Sequence, residues 1–178
     1  MPFILKAIED TTAYEQFDSV LIVPCRFCPA ASAAVKNDEP YFELFRRFLK
    51  TGSYEQFIMN LKSRLERKGI RTDVFKSKWL HQFVLCMWTS RRREALKRRA
   101  EKFEALVVLG CEAAVQTVRD AVKPVQCEVL QGVETEGIMS VKPHFSLPGN
   151  LSIELQSIST YEYKGTRPCA YGNDYAMN

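Results

Sequence analysis

The residues in this 178-residue chain whose types suit them to chemistry are chiefly six cysteines and two histidines. Two of the cysteines form a C-x-x-C, Cys25-Arg26-Phe27-Cys28. A dithiol at that spacing either ligates a metal or exchanges with disulfides. Two single cysteines, Cys86 and Cys111, lie 58 and 83 residues beyond Cys28. Four thiolates are the set that holds a zinc ion tetrahedrally, or an iron–sulfur cluster. On that reading Cys25, Cys28, Cys86 and Cys111 are metal ligands. The plainer reading makes Cys86 and Cys111 small buried hydrophobes. Cys127 falls in an expected strand, where packing explains it, and Cys169 has no neighbouring partner in the sequence. His81 lies in an apolar stretch and reads as a core histidine, whereas His144, between Pro143 and Phe145, is a weak candidate to reach a site. Glu112 beside Cys111 is either a supporting group or general base, or a solvated carboxylate at a helix start. No dinucleotide fingerprint, P-loop or Ser/His/Asp order accompanies them.

The elements that position these thiols follow from the apolar pattern. Val20–Val23 is a short buried strand, ended by Pro24, which has no N–H to donate. Pro29 suits the first turn of a helix carried by the alanine-rich run Ala30–Val35. Ala105–Leu109 repeats the plan: apolar strand, then Gly110-Cys111, then a helix from Glu112. A helix N-terminus favours a thiolate over a thiol. Asn37-Asp38-Glu39-Pro40 predicts a helix start capped by Asp38, with a stripe from Tyr41 to Leu49. Ser53 and Gln56 predict a capping box for a second helix that ends at Gly69. Ile70–Phe75 is a second strand. Cys86 stands ahead of a basic helix capped by Thr89 or Ser90 and running through Phe103. Val125–Leu130 is a further strand, and Ile138–Val141, Phe145–Leu147 and Leu151–Ile158 predict antiparallel strands with a turn at Pro148-Gly149-Asn150.

Alternating strands and helices give a parallel sheet, and such sheets bind ligands outside their strands' carboxyl ends. Cys25, Cys28 and Cys111 should therefore share one sheet edge. The expected fold is α/β: one three-layer domain over residues 1–164, with a mostly parallel sheet and an antiparallel C-terminal β extension. A polar, tyrosine-rich tail, residues 165–178, follows as a flexible end.

Composition fits a globular chain, 46% hydrophobic and 26% charged, with no apolar run near the ~20 residues of a membrane span. The opening residues lack the pattern of a secretory leader, which predicts a cytoplasmic protein with reduced or metal-bound cysteines. The net charge of +4 is concentrated in Arg91, Arg92, Arg93, Lys97, Arg98, Arg99 and Lys102. That cluster reads as a solvated helix face, or as a face for nucleic acid, an acidic partner or an anionic cofactor. It lacks the aromatic pattern of a nucleic-acid binder, so nucleic acid is not the expected partner.

The run Glu104-Ala105-Leu106-Val107-Val108-Leu109-Gly110-Cys111 through Gln116-Thr117-Val118 completes a pattern with the strand–C-x-x-C and the cysteine before a charged helix. Together they resemble the C-terminal domain of anaerobic-type methylenetetrahydrofolate reductases, a domain that also occurs as a separate small partner subunit. The likeness spans roughly Val20 to Met139. It implies a zinc or iron–sulfur centre on Cys25, Cys28, Cys86 and Cys111, and a role beside a protein partner in one-carbon metabolism. The chain departs from the family in ending with β-hairpins rather than a cysteine-rich segment, and in placing Pro29 and alanines after the C-x-x-C. Two other classes stand beside this one: a thiol-active oxidoreductase using Cys25 and Cys28, and an interaction module using the basic face of Ser90–Phe103.

Overall fold

The computed structural model describes residues 2–8, 10–43, 51–76, 84–146 and 149–160. Its elements are β1 (Phe3–Ala7), β2 (Ser19–Pro24), α1 (Cys28–Asn37), β3 (Phe42–Glu43), α2 (Gly52–Arg67), β4 (Arg71–Val74), α3 (Ser90–Ala100), β5 (Ala105–Leu109), α4 (Glu112–Val122), β6 (Glu128–Gln131), β7 (Val133–Ser146) and β8 (Asn150–Thr160). Strand β2 is buried at all six positions and β5 at all five. Continuous apolar strands of this kind need cover on both faces. Each fully buried Val, Leu or Ile contributes about 1.5–3 kcal/mol.

β2, β4, β5 and β6 make a parallel sheet in the order β4-β2-β5-β6. The chain moves one way from β2 to β4, then back across to β5 and on to β6. With right-handed crossovers, α1 and α2 fall on one face and α3 and α4 on the other. The packing agrees: α1 touches α2, α3 touches α4, α2 covers β2 and β4, and α4 covers β5 and β6. The strand order reverses between β2 and β5, so their carboxyl ends flank the switch-point crevice of a doubly wound sheet.

The antiparallel strands form a sheet of their own, in the order β1-β7-β8-β3. β7 and β8 are one long hairpin rather than separate short strands. β1 pairs with β7 from the far end of the sequence, Phe3 opposite Ile138. This sheet rests on α1, which touches both β1 and β8. Small side chains allow the approach: Ala30, Ala31, Ser32 and Ala34 are buried. The Ser32 hydroxyl accepts from Leu5 N–H at 2.9 Å and lies 3.1 Å from Phe3 C=O and 2.9 Å from Cys28 C=O.

Several expected boundaries move. Asp38 does not start a helix. It ends α1 in the left-handed conformation, φ 49°, where a short polar side chain is tolerated. Phe42 and Glu43 are extended and pair with Leu151 and Asn150, not helical. Thr51, not Ser53, is the N-cap of α2, and both the N–H and the hydroxyl of Ser53 bond the Glu39 carboxylate instead. Gly69 does end that region, with φ 84° and the paired bonds Gly69 N–H to Glu66 C=O and Ile70 N–H to Leu65 C=O of a Schellman motif. The remainder of the Tyr41–Leu49 stripe, His81, Cys169 and the 165–178 tail lie outside the described residues. Among the described residues, no helix is long and apolar enough to cross a membrane.

Candidate metal and thiol site

The carboxyl ends of β2 and β5 lie side by side, Pro24 opposite Leu109, and Cys25 N–H donates to Leu109 C=O at 2.9 Å. Cys25 follows β2, and Cys28 opens α1 with Pro29 behind it. Cys111 is the N-cap of α4. The switch point thus gathers three cysteines on one edge of one sheet, as the alternation of elements predicts. Cys86 comes from the tight 3-10 turn Leu85–Met87 that precedes α3. It is exposed, not sealed in the core.

The thiols feel one another. The Cys28 thiol stands against the Cys111 sulfur as a hydrogen-bond donor, and this contact, followed by burial, pushes the Cys28 pKa up. The same contact, with the N–H groups of Ala114 and Ala113 facing the sulfur, brings Cys111 down to about 6 despite burial. Ala114 N–H donates to Cys111 C=O at 2.8 Å and no side-chain bond closes the α4 cap, so the sulfur feels the helix N-terminus through its positive potential. Burial dominates at Cys25 and lifts it to about 11, while the N–H groups of Leu85 and Phe27 and the charges of Cys111 and Cys86 act on it as smaller influences. Burial also raises Cys86, and Cys111 adds to the rise. All four cysteines therefore feel at least one of the others, and a backbone N–H acts on each, its own in the case of Cys86. Phe3 N–H serves Cys28, so the second sheet contributes to the site as well.

As the thiols stand, no group of three or more His, Cys, Asp or Glu side chains among the described residues is arranged to hold an ion. Cys28 and Cys111 are free thiols that influence each other more strongly than any other pair among the four. Cys25 and Cys86 would have to turn toward them to complete a tetrahedron with sulfurs about 4 Å apart.

The other candidates resolve separately. Glu112 is exposed and accepts from the Thr135 hydroxyl at 2.8 Å, tying α4 to β7. His144 pairs with Glu154 at 2.9 Å across the exposed hairpin. Cys127 is half-buried ahead of β6 and packs against the core. On the basic helix Arg91, Arg98 and Arg99 are exposed, and Arg99 pairs with Asp73. Arg92 departs from that solvated face: it is half-buried, its guanidinium 4.1 Å from the Phe75 ring centroid and 5.2 Å from that of Trp88. Arg26, inside the C-x-x-C, is also buried, with Nε bonded to Glu55 Oε1 at 2.7 Å and Nη2 to Oε2 at 3.3 Å. Its only signal in the sequence is a charged residue directly after an apolar strand. No protein-family model, curated protein or solved structure matches the chain. Fold and site together describe a doubly wound α/β protein with a thiol cluster at its switch point.

Proposed function

We propose that this chain is a metal-binding accessory protein whose zinc or iron–sulfur centre is held by Cys25, Cys28, Cys86 and Cys111. The observation that carries the reading is the placement of Cys25, Cys28 and Cys111 at neighbouring strand and helix ends on one sheet edge, where backbone N–H groups favour their thiolates. N–H donors around thiolates orient them and tune the metal they hold. When bound, the metal would replace thiol protons as the source of positive charge. The residues' part is to present the sulfurs: Cys111 caps the start of α4, the turn before α3 offers Cys86, and Cys28 opens α1 with Pro29 in its first turn. The likeness to the reductase C-terminal domain supports a place beside a protein partner in one-carbon metabolism.

The test is metal content by mass spectrometry on protein purified without oxygen, for the natural chain and for Cys111→Ser. One bound zinc or one cluster per chain is expected, with occupancy and stability falling together in the variant, because binding and folding are coupled. Full occupancy in Cys111→Ser ends the four-ligand reading.

One observation favours thiol–disulfide exchange as a second reading: a Cys28 thiol against a Cys111 thiolate is the arrangement of an attacking and a resolving sulfur. It moves the reactive pair from Cys25/Cys28 to Cys28/Cys111. Two thiols would yield two electrons and two protons to an acceptor disulfide. Mass-spectrometric mapping after exposure to oxidised glutathione separates the two pairings.

A further inference from the structure

Strand β4 is the outer strand of the parallel sheet, and β2 covers only one of its edges. Arg71 N–H donates to Asp18 C=O at 2.9 Å, and Phe75 N–H to Ile22 C=O at 2.8 Å. Successive residues of a strand turn their backbone groups to opposite sides. Arg71, Asp73 and Phe75 therefore serve β2, while Thr72, Val74 and Lys76 turn away from it. Among the described residues no strand meets that outer side. Thr72 is buried, so the open part of the edge is its carboxyl half, where Asp73 and Val74 are half-buried and Lys76 is exposed. Val74 N–H is held there only by the carboxylate of its own neighbour, Asp73 Oδ1 at 2.8 Å. An open edge of this kind is a template for another strand.

Two clefts straddle the edge. One, of about 310 Å³, is lined from α2 by Ile58, Met59 and Lys62. The other, of about 320 Å³, is lined from α3 by Ala95 and Arg99. Both share Asp73, Val74 and Lys76, and α2 and α3 lie on opposite faces of the sheet. Together the walls carry four cations, Arg26, Lys62, Lys76 and Arg99, against two acids, Glu55 and Asp73. Both acids are engaged, Glu55 by Arg26 and Asp73 by Arg99. Burial works to raise the Asp73 carboxyl, but the Val74 N–H, Arg99 and Lys62 outweigh it and hold the group below its ordinary value. Cations of both helices thus act on the middle of the edge.

We propose that the outer edge of β4 is a docking site for an extended acidic segment of a partner protein, which adds to the sheet as a further strand. Alternate side chains of an added strand fall on opposite faces, one into each cleft. The lining suits a segment in which apolar and acidic residues alternate. An apolar side chain covers Ile58 and Met59, the latter 51% exposed, and a carboxylate meets Lys76 and Arg99. A second copy of this chain fits less well, because antiparallel pairing of two β4 edges sets Arg71 and Lys76 of one against the same cations of the other. The edge is independent of the thiol cluster.

The experiment is fluorescence anisotropy of a labelled, end-blocked octapeptide of alternating Glu and Val, titrated with the full-length, reduced, metal-free protein at fixed ionic strength. Saturable binding is expected. A Lys-Val octapeptide should not bind. The Glu-Val peptide with N-methyl groups along its backbone keeps its charge, loses strand pairing, and should bind about tenfold or more weaker. Lys76→Glu reverses the charge at the rim both clefts share and should weaken binding by about tenfold or more. Val74→Pro removes an N–H that β2 does not use, so it should weaken binding with the far-UV spectrum unchanged. Arg98→Gln, at an exposed position of α3 that lines neither cleft, should leave binding within about twofold. No binding at submillimolar protein overturns the proposal, as does equal affinity for the N-methylated peptide or equal weakening by Arg98→Gln and Lys76→Glu. Tighter binding of a single-stranded oligonucleotide of the same charge overturns it as well, and makes the edge a phosphate surface. Cys111→Ser should bind the peptide as the natural chain does, so loss of the metal reading leaves this one standing.

Discussion

Gly110, between β5 and Cys111, has no room for a side chain. A Cβ there would stand 2.6 Å from the Ala114 Cβ and 3.2 Å from the Cys25 Cβ. Carbon atoms settle at about 3.5–4.0 Å, so Gly110→Ala forces α4 away from the end of β2 by about 1 Å. Both obstructing atoms are carried directly on backbone, and no rotamer change removes them. Overpacking of this kind costs about 1–3 kcal/mol, and two obstructions place this site near 3 kcal/mol. In a chain of this size that is a fall in Tm of roughly 6–12 °C. The same shift separates Cys111 from Cys28, so metal affinity should drop with stability. Urea unfolding of the reduced, metal-free protein measures the first effect, and competition with a chromogenic zinc chelator the second. Adding Ala114→Gly removes the nearer obstacle at a helix cost of about 1 kcal/mol. The double variant should therefore be more stable than the sum of the two single changes by about 1 kcal/mol. A Gly110→Ala protein within about 0.5 kcal/mol of the parent, or strictly additive losses, would refute the packing argument.

Gly69 offers a contrast, because a Cβ there meets nothing within 4 Å and only its φ of 84° opposes a side chain. Gly69→Ala should cost about 1 kcal/mol in urea unfolding and Gly69→Asn less, since Asn tolerates that conformation; equal losses would contradict this. Glu55→Ala strands the Arg26 charge, whose side chain is 8% exposed, and should cost about 3 kcal/mol; a loss below about 1 kcal/mol would mean that another group or an ion neutralises Arg26. In reduced, metal-free protein the thiols set a pH optimum. Cys111, lowered from 9.0 to about 6, adds stability that is complete above pH 9 and is lost as pH falls through 6. Cys25, raised from 9.0 to about 11, adds stability that is complete below pH 9 and is lost as pH climbs through 11. Their joint contribution peaks near pH 9, and Cys111→Ser should remove the acid-side slope in unfolding curves and soften the alkaline one, because Cys111 also raises Cys28 and, to a lesser degree, Cys25.

The legible parts of the fold are those in which a short stretch carries its own instruction. Val20–Val23 and Ala105–Leu109 are unbroken apolar runs with cysteines at their ends, and they became the central strands β2 and β5. Their alternation with helices was enough to bring Cys25, Cys28 and Cys111 to one edge. Asp38 shows the limit of local reading: the same residue suits an N-cap or a left-handed helix end, and the course of the chain decides between them. The second sheet was less legible because its pairing is non-local. Nothing within Phe3–Ala7 says that its partner is Val133–Ile138. The unpartnered buried nitrogens Arg26 Nη1 and Arg92 Nε were invisible for the same reason, since an orphaned donor is a property of the surroundings and not of the residue.

The pairing of β1 with β7 gives this chain a timetable. Phe3 and Ile138 are 135 residues apart. At synthesis rates of about 5–20 residues per second, the first strand leaves the ribosome roughly 7–27 s before its partner exists. During that interval Ile4 and Leu5 have no sheet to join, and Cys28 lacks the Phe3 amide that faces it in the finished protein. The C-x-x-C is made early, but its surroundings close only when β1 meets β7. Until β7 emerges the C-x-x-C therefore lacks the sheet that packs on α1, and loading of any metal before Cys111 emerges would have to use an incomplete set of sulfurs.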